Sequence, residues 1–149
     1  QQLESVCGVS KEIIEKIETS LVLLGRIPRE EVLELLKETD ITIFLRSMRQ
    51  RYAKAGFPTK FVESMMHGVP VMTNCTSDLA EYLKDKENGI IIEKETNEAV
   101  ENAIRTILGM SSEERYAMKK KALETAENSF CVERYANELK KIITKQLNM

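Results

Sequence analysis

The sequence lacks several features that mark large classes of proteins. No apolar run approaches the length of a membrane-spanning helix, and no signal peptide opens the chain. Lysine and arginine number 22 against 24 aspartate and glutamate residues, so the formal net charge is −2 without a basic excess. Proteins that bind nucleic acid usually show such an excess or a basic stripe. We therefore expect a soluble, cytoplasmic protein that does not bind nucleic acid.

Tryptophan and cysteine are also scarce. Tryptophan is absent, and the three cysteines, Cys7, Cys75 and Cys131, lie far apart without a Cys-x-x-Cys pair. This pattern offers neither a zinc motif nor a disulfide framework, and reduced, packed thiols account for it. The acidic residues in the middle of the chain show no spacing typical of metal ligands either. The sequence therefore predicts no bound metal.

Short apolar runs alternate with helical patterns along the chain. Near-continuous apolar runs occupy residues 21–24, 41–45, 69–72 and 90–92, with a further candidate strand at residues 3–7. Strands that are buried on both faces of a parallel sheet have this composition. The order β-α-β-α-β-α-β, closed by helices, predicts one α/β domain over residues 1–149 with a doubly wound parallel sheet.

Capping signals predict where the helices begin and end. Ser10 and Thr96 are candidate N-caps, and Pro28 suits a first helical turn. Ser111 and Glu114 have the spacing of a capping box. The helix capped by Thr96 is expected to bury Val100, Ala103, Ile104, Ile107 and Leu108 and to stop near Gly109. The helix after Pro28 is expected to have one apolar face, at Val32, Leu33 and Leu36. The last helix is expected to be amphipathic, with its apolar face at Val132, Tyr135, Ala136, Leu139, Ile142 and Ile143. A tight turn at Asn88-Gly89 is expected to precede the last strand.

Ligands of doubly wound sheets bind where the strands end and the loops run into helices. Three loops are therefore of interest, at residues 25–28, 46–58 and 73–77. The second is the longest and contains four cations, Arg46, Arg49, Arg51 and Lys54. Four cations at that edge of a mildly acidic protein favour an anionic ligand. A merely polar, solvated loop remains the alternative.

The residues after this loop form a unit suited to an anion. Gly56 permits a positive φ or a close backbone approach, and Pro58 suits the first turn of a helix. The free amide groups and the dipole at a helix N-terminus favour a phosphate, and Lys60 adds a positive charge in the same turn. The residues expected to be buried in this helix are Phe61, Val62, Met65 and Met66.

Two further polar residues lie on this predicted helix. Glu63 falls about one turn beyond the anion site, where its carboxylate is placed to accept the two hydroxyls of a ribose. A weak ion pair with Lys60 at i,i+3 is an equally good interpretation of the spacing. His67, the single histidine, lies near the helix end, and a structural role is favoured over that of a general base.

The segment 55–71 (AGFPTKFVESMMHGVPV) resembles the donor-binding motif of the group 1 retaining glycosyltransferases with the GT-B fold. In that family the pattern reads (Glu)-Gly-Phe-Gly-x4-Glu-Ala-x-Ala-x-Gly-x-Pro-Val. Residues 23–26, the strand at 40–45, Glu81 and Asn88-Gly89 agree with the family in order and spacing. The string GFPTKFVE and Arg46 at the end of the preceding strand resemble a branch found in surface-polysaccharide synthesis.

The resemblance implies a Rossmann-like, C-terminal donor-binding domain and a role for each matched residue. Glu63 would bind the ribose, the backbone at 56–60 the sugar and diphosphate, and the loop at 25–27 the base. The first glutamate of the family's pair is Ala55 here, and Pro58 replaces its second glycine, so sugar recognition must differ. The donor-binding residues expected in this way are Glu63, Lys60, Thr59, Pro58, Phe57, Gly56, Arg46, Lys54, Gly25, Arg26 and Ile27. No catalytic residue is assigned.

The family also implies partners that this chain does not supply. The donor would be a nucleotide-diphosphate sugar, used with retention and without metal or cofactor. A polysaccharide, lipopolysaccharide or glycolipid acceptor would bind a separate N-terminal domain. The chain is expected to be a fragment that lacks this domain and the start of its own, so that it binds nucleotide weakly and transfers no sugar. Peripheral contact of the longer protein with the inner face of the membrane stays open.

Two other functions fit the same residues. A nucleotide-sugar epimerase shares the two-domain fold, but it needs acid and base groups around the sugar, and these are scarce near Gly56. A degenerate, non-catalytic transferase domain would explain the change to Ala55. Nucleotide binding that depends on Glu63 would support either enzyme, whereas its absence would favour the non-catalytic domain.

Overall fold

The fold is taken from a computed structural model, which describes residues 12, 15, 16 and 20–147. The chain divides into two compact units, residues 1–32 and residues 33–149. The strand predicted at residues 3–7, Cys7 and the cap at Ser10 lie outside the described residues.

Strands and helices alternate through most of the described chain. The elements, in chain order, are α1 Arg29–Glu38, β1 Thr42–Ile43, α2 Arg51–Ala55, α3 Thr59–Met66, β2 Val71–Thr73, α4 Leu79–Tyr82, β3 Gly89–Ile91, α5 Asn97–Gly109, α6 Ser112–Phe130 and α7 Val132–Leu147. This alternation confirms the predicted α/β class.

The three strands form a parallel sheet in the order β1-β2-β3. Thr42 pairs with Val71, which in turn pairs with Gly89, so the strands end at the same edge. The predicted strand at 21–24 is wrong: these leucine and valine residues belong to no strand among the described residues, and all four are exposed. A strand needs a hydrogen-bonded neighbour, and an apolar run in the sequence does not show whether one is present.

The core of the second unit lies on both faces of β2. Val71 belongs to a cluster with Phe61, Met65 and residues of α4 and α6, whereas Met72 packs in a second cluster with Ile90 and with residues of α5. Because neighbouring strand residues point to opposite faces, both faces of β2 are covered. Small residues of α6, Ala122 and Ala126, face α3 in the first cluster, and this lets the two helices approach closely.

The predicted helix boundaries are largely confirmed. The Thr96 side chain accepts the amide of Ala99, and Ser111 and Glu114 form both bonds of the capping box. Helix α5 ends at Gly109 as expected, and α1 begins directly after Pro28. These signals act within one helical turn, so the sequence is sufficient to reveal them.

Several apolar faces predicted to be buried are exposed. In α5, Ala103 and Ile107 are buried and Val100 is half-buried, but Ile104 is exposed and Leu108 is 73% exposed. Met66 of α3 and Val32 of α1 are exposed as well. The predicted last helix is present as α7, and all six residues of its apolar face are exposed: Val132, Tyr135, Ala136, Leu139, Ile142 and Ile143. Periodicity identifies an apolar face, whereas its burial requires another element opposite it.

Candidate functional site

The strand ends of the second unit meet around a cavity. The cavity has a volume of about 510 Å³ and is lined by residues at or beyond the ends of all three strands: Met48, Arg49, Asn74, Cys75, Ile91, Ile92, Glu93, Lys94 and Glu95. The amide of Met48 donates to the Glu95 carboxylate at 2.7 Å, which ties the loop after β1 to the segment after β3. The loops at 46–58 and 73–77 therefore meet at the carboxyl edge of the sheet, as the fold class predicts.

The connection at 46–58 is not an unbroken loop. It contains the short helix α2, whose last residues are Lys54 and Ala55. Lys54 is exposed, as are Arg49 and Arg51. A five-residue helix gives too few apolar positions for a periodic pattern, so the sequence did not indicate it.

Arg46 differs from the other cations because its guanidinium is bonded to the chain itself. Nη2 donates to the carbonyl oxygen of Tyr52 at 2.6 Å, and Nη1 donates to the carbonyl oxygen of Gly56. Its Cζ also lies 5.1 Å from the centre of the Tyr52 ring, within the range of a cation–π contact. The structure thus places Arg46 at the C-terminal end of α2, where cationic side chains can bond the last carbonyl groups of a helix.

Asn74 is a site residue that the sequence analysis missed. Its side chain accepts the amide of Arg46 at 3.0 Å and donates to the Arg46 carbonyl oxygen at 2.8 Å. Asn74 is 5% exposed and follows β2 directly. A buried polar residue immediately after a buried strand was the signal available, but its partner is 28 positions away in sequence.

Gly56 lies where the chain comes close to α2. Its φ is −109°, so no positive φ is needed, but a Cβ here would lie 3.1 Å from the Tyr52 carbonyl oxygen. The Gly56 amide donates to the same oxygen at 2.9 Å. Of the two roles considered for this glycine, the structure supports the close backbone approach.

Phe57 is anchored in the core by its ring. The ring makes edge contacts with Phe61 and Tyr82, at centroid distances of 5.9 and 5.6 Å, and a tilted contact with Phe130 at 5.7 Å. These separations are typical of favourable aromatic pairs. Because the Phe57 ring is used in packing, only the backbone groups of Phe57 remain for a ligand near the start of α3.

The N-terminus of α3 has no side-chain cap. Pro58 occupies the N-cap position with φ −77° and ψ 111°, one residue earlier than predicted, and it makes no side-chain hydrogen bond. Thr59 and Lys60 of the first turn are exposed. The Phe61 amide is bonded to the Pro58 carbonyl oxygen at 3.0 Å. The amide groups of Thr59 and Lys60 precede it in the first turn, where helical acceptors are lacking, so they remain for water or an anionic ligand.

Glu63 is exposed on the next turn of α3. Among the described residues, no ion pair joins Glu63 to Lys60, so the alternative explanation of their spacing is not realised. His67 lies at the C-cap, and its Nδ1 is 2.8 Å from the Glu63 carbonyl oxygen. This bond gives His67 the structural position that was favoured, at the opposite end of α3 from Gly56.

Cys75 does not have the environment of a nucleophile. It is half-buried after β2, and burial raises the pKa of its thiol above the ordinary value, an effect opposed in part by Lys84. A raised pKa leaves less thiolate, the reactive form, at neutral pH.

In the described part of the chain, no group of three histidine, cysteine, aspartate or glutamate side chains is placed to hold a metal ion. No helix among the described residues is long and apolar enough to span a membrane.

The loop expected to lie against the base belongs to the unit of residues 1–32. Gly25 has φ +66°, a conformation that favours glycine, and apart from its chain neighbours no described residue comes within 4 Å of where a Cβ would lie. Gly25 and Arg26 are exposed and Ile27 is half-buried. Their predicted role at the base stays a prediction.

Solved structures with the same fold were found, whereas a search of curated proteins found no match. Sucrose-phosphate synthase from Thermosynechococcus elongatus aligns with 93% of this chain at 16% identity and a TM-score of 0.71. HepE from Anabaena, in complex with UDP and glucose, aligns with 90% at 17% identity and a TM-score of 0.70. The C-terminal domain of the group 1 glycosyl transferase LpcC from Francisella tularensis aligns with 82% at 18% identity and a TM-score of 0.65.

This chain aligns with only a part of the length of each of these neighbours. The chain spans about a third of sucrose-phosphate synthase and of HepE, and 62% of the LpcC domain. The similarity confirms the Rossmann-like fold of one GT-B domain. Residues 10–125 match the family described as "Glycosyl transferases group 1". Since this match covers more than half of the sequence and includes the Gly56–Glu63 motif, the chain belongs to the group 1 glycosyl transferases.

Proposed function

We propose that the chain is the donor-binding half of a glycosyltransferase that uses a nucleotide-diphosphate sugar. Membership of the group 1 glycosyl transferases supports this function. The structural neighbour HepE, which was solved with UDP and with UDP-glucose, supports a donor of that class. The acceptor is a polysaccharide, a lipopolysaccharide or a glycolipid, and it binds a separate domain.

The observation that carries this proposal is the arrangement at the start of α3. An uncapped helix N-terminus with Lys60 in its first turn suits a diphosphate, because amide donors, the helix dipole and a full charge act together. Glu63 lies one turn further along with an exposed carboxylate and no ion pair to Lys60. A carboxylate accepts two hydroxyl donors at once, which matches a ribose.

Each residue then has one task. The backbone from Gly56 to Thr59 contacts the sugar and the diphosphate, Lys60 and the exposed Lys54 neutralise the phosphates, and Glu63 binds the ribose. Ala55 offers no polar group to the sugar, so the hydroxyls of the sugar are bound through other groups than in relatives with glutamate there.

Transfer itself is assigned to electrostatic stabilisation. Donors and cations fixed around the leaving diphosphate stabilise the charge that develops as the glycosidic bond breaks. The reaction retains the configuration at the anomeric carbon and needs no metal, because the helix end and the lysines supply the positive charge. No general base is assigned, and the isolated chain transfers no sugar because the acceptor domain completes the active site.

The test is a calorimetric titration of the chain with UDP-, GDP- and ADP-sugars. We expect one nucleotide to bind, and Glu63→Ala to weaken its binding by about 10- to 100-fold, since hydrogen bonds to a charged group are lost. The matched control is Glu127→Ala, an exposed glutamate in the helix α6. No nucleotide binding at millimolar concentration, or equal binding by Glu63→Ala, would contradict the proposal and favour a non-catalytic domain.

A further inference from the structure

The segment that opens α3 is held in place by a chain of hydrogen bonds that begins inside the sheet. Asn74 follows the central strand β2, and Arg46 follows the neighbouring strand β1. The Asn74 side chain bonds both the amide and the carbonyl oxygen of Arg46, at 3.0 and 2.8 Å. Its amide group therefore continues the pairing of the two strands beyond their last backbone bonds and fixes where the Arg46 backbone lies.

The Arg46 side chain carries this connection to the end of α2. Its two terminal nitrogens donate to the carbonyl oxygens of Tyr52 and Gly56. A guanidinium presents its donors in a rigid, planar fork, so it can hold two carbonyl groups in a fixed relation. The Tyr52 oxygen also accepts the Gly56 amide at 2.9 Å, which closes the turn at Gly56.

After Gly56, the backbone is held a second time, by Phe57 and Pro58. The Phe57 ring packs against Phe61 and Phe130, and Pro58 restricts φ at the start of α3. The backbone between Gly56 and Pro58 is thus held by Arg46 at one end and by the aromatic core at the other. The exposed first turn of α3 follows directly.

We propose that Arg46 is a positioning residue for donor binding and that Asn74 sets its position. The proposal rests on the proposed function for the identity of the ligand. Arg46 donates from both terminal nitrogens to the carbonyl oxygens of Tyr52 and Gly56, so its role is to hold the backbone that meets the donor, and Lys60 is the cation assigned to the phosphates. Asn74, at 5% exposure, acts through Arg46.

The conservative change Arg46→Lys tests this role because it keeps the charge and removes the fork. An ammonium on a flexible stem cannot hold both carbonyls in the same geometry. We expect UDP affinity to fall by about 10-fold, as for the loss of one or two hydrogen bonds. The control is Arg105→Lys, an exposed arginine of α5 whose ion pair with Glu101 a lysine retains.

Asn74→Ala provides the second variant, because a direct contact and a positioning role predict different results. If Arg46 itself bound the phosphates, removal of a buried neutral side chain would leave UDP affinity nearly unchanged. We expect instead a loss similar to that of Arg46→Lys, and a double variant that is hardly weaker than either single one, since both break the same connection. Asn102→Ala, on the exposed surface of α5, is the matched control.

A readout without ligand separates this inference from the proposed function. The Gly56 amide, bonded to Tyr52, should exchange its hydrogen about 10-fold faster in both variants, whereas the Ile92 amide, bonded to Thr73, should not change. The exchange of the Ile92 amide also shows whether the Asn74→Ala variant is folded. If that variant does not fold, the result for Arg46→Lys alone decides the test. If hydrogen exchange at the Gly56 amide is unchanged in the variants, the hydrogen-bonded path from Asn74 through Arg46 to Gly56 does not hold this segment. This result would overturn the inference even if the wild-type chain bound no nucleotide. Faster exchange with unchanged UDP affinity would overturn its role in donor binding.

Discussion

At the scale of single residues, the segment that leads into β3 depends on one buried amide side chain. Asn88 accepts the Lys84 amide at 2.8 Å and donates to the Tyr82 carbonyl oxygen at 2.8 Å and to Thr125 Oγ1 at 3.0 Å. A buried polar group is tolerated when its bonds are made in this way. The Asn88-Gly89 pair, predicted as a turn, therefore also joins the loop to α6.

Gly89 is the position where a single methyl group should be most harmful. A Cβ there would lie 2.3 Å from the Val71 carbonyl oxygen and 2.6 Å from Leu83 Cδ1. Because the first of these atoms belongs to the backbone of a paired strand, we expect Gly89→Ala to destabilise the fold by about 3 kcal/mol. Thermal unfolding should show a midpoint lowered by about 5–10 °C.

The matched control for this change is Gly109→Ala. Gly109 is the last residue of α5, and outside its own helix backbone and chain neighbours no described residue comes within 4 Å of where a Cβ would lie. Alanine has the higher helix propensity, so the midpoint should stay or rise slightly. Equal losses in the two variants would show that the close contact at Gly89 is not what excludes a side chain.

At the scale of elements, α5 shows what an amphipathic pattern does and does not determine. The cap at Thr96, the end at Gly109 and the apolar stripe were all evident in the sequence. The pattern could not divide the stripe into buried and exposed residues. Ile107 packs with Met72 and Met118, whereas its neighbour Leu108 has no element covering it among the described residues.

Ile107 and Leu108 therefore form a matched pair for a stability test. Ile107 is 9% exposed, and Ile107→Ala should cost about 2–4 kcal/mol through lost packing and the cavity left behind. Leu108 is 73% exposed, and Leu108→Ala should change stability by about 0.5 kcal/mol or less. Denaturant unfolding of both variants is the measurement. A similar cost for both would mean that the exposed side of α5 is covered in solution.

At the scale of the whole molecule, the chain combines a well-packed sheet with a long apolar surface on its last helix. The core clusters lie on both faces of β2, while apolar residues along α7 are exposed: Val132, Tyr135, Leu139, Ile142 and Ile143. Exposed apolar residues in a continuous stripe promote association, because burying them removes apolar area from water.

The variant Leu139→Gln tests this surface. Leu139 is 58% exposed near the middle of α7, and glutamine has a similar helix propensity. We expect lower binding of an apolar dye, with the unfolding midpoint nearly unchanged. Lys141→Gln, an exposed polar position of the same helix, is the control. A marked fall in the midpoint for Leu139→Gln alone would show that this side chain is buried.

The sequence by itself determined the features that depend on residues close along the chain. The α/β alternation, the cap at Thr96, the capping box at Ser111 and the start of α3 after Pro58 all arise within a turn or a strand. For this reason the position of the Gly56–Glu63 motif, and the family to which it belongs, were evident from the sequence.

Only the tertiary structure decided which polar side chains are hydrogen-bonded within the protein and which are not. Arg46, predicted beside a donor, holds the carbonyl groups of α2, and Asn74, which the sequence did not single out, holds Arg46 from a position 28 residues away. Lys60 and Glu63 have the spacing of an ion pair but do not form one among the described residues. These hydrogen bonds and ion pairs join residues that come together only when strands and helices pack. Patterns of neighbouring residues in the sequence therefore do not predict them.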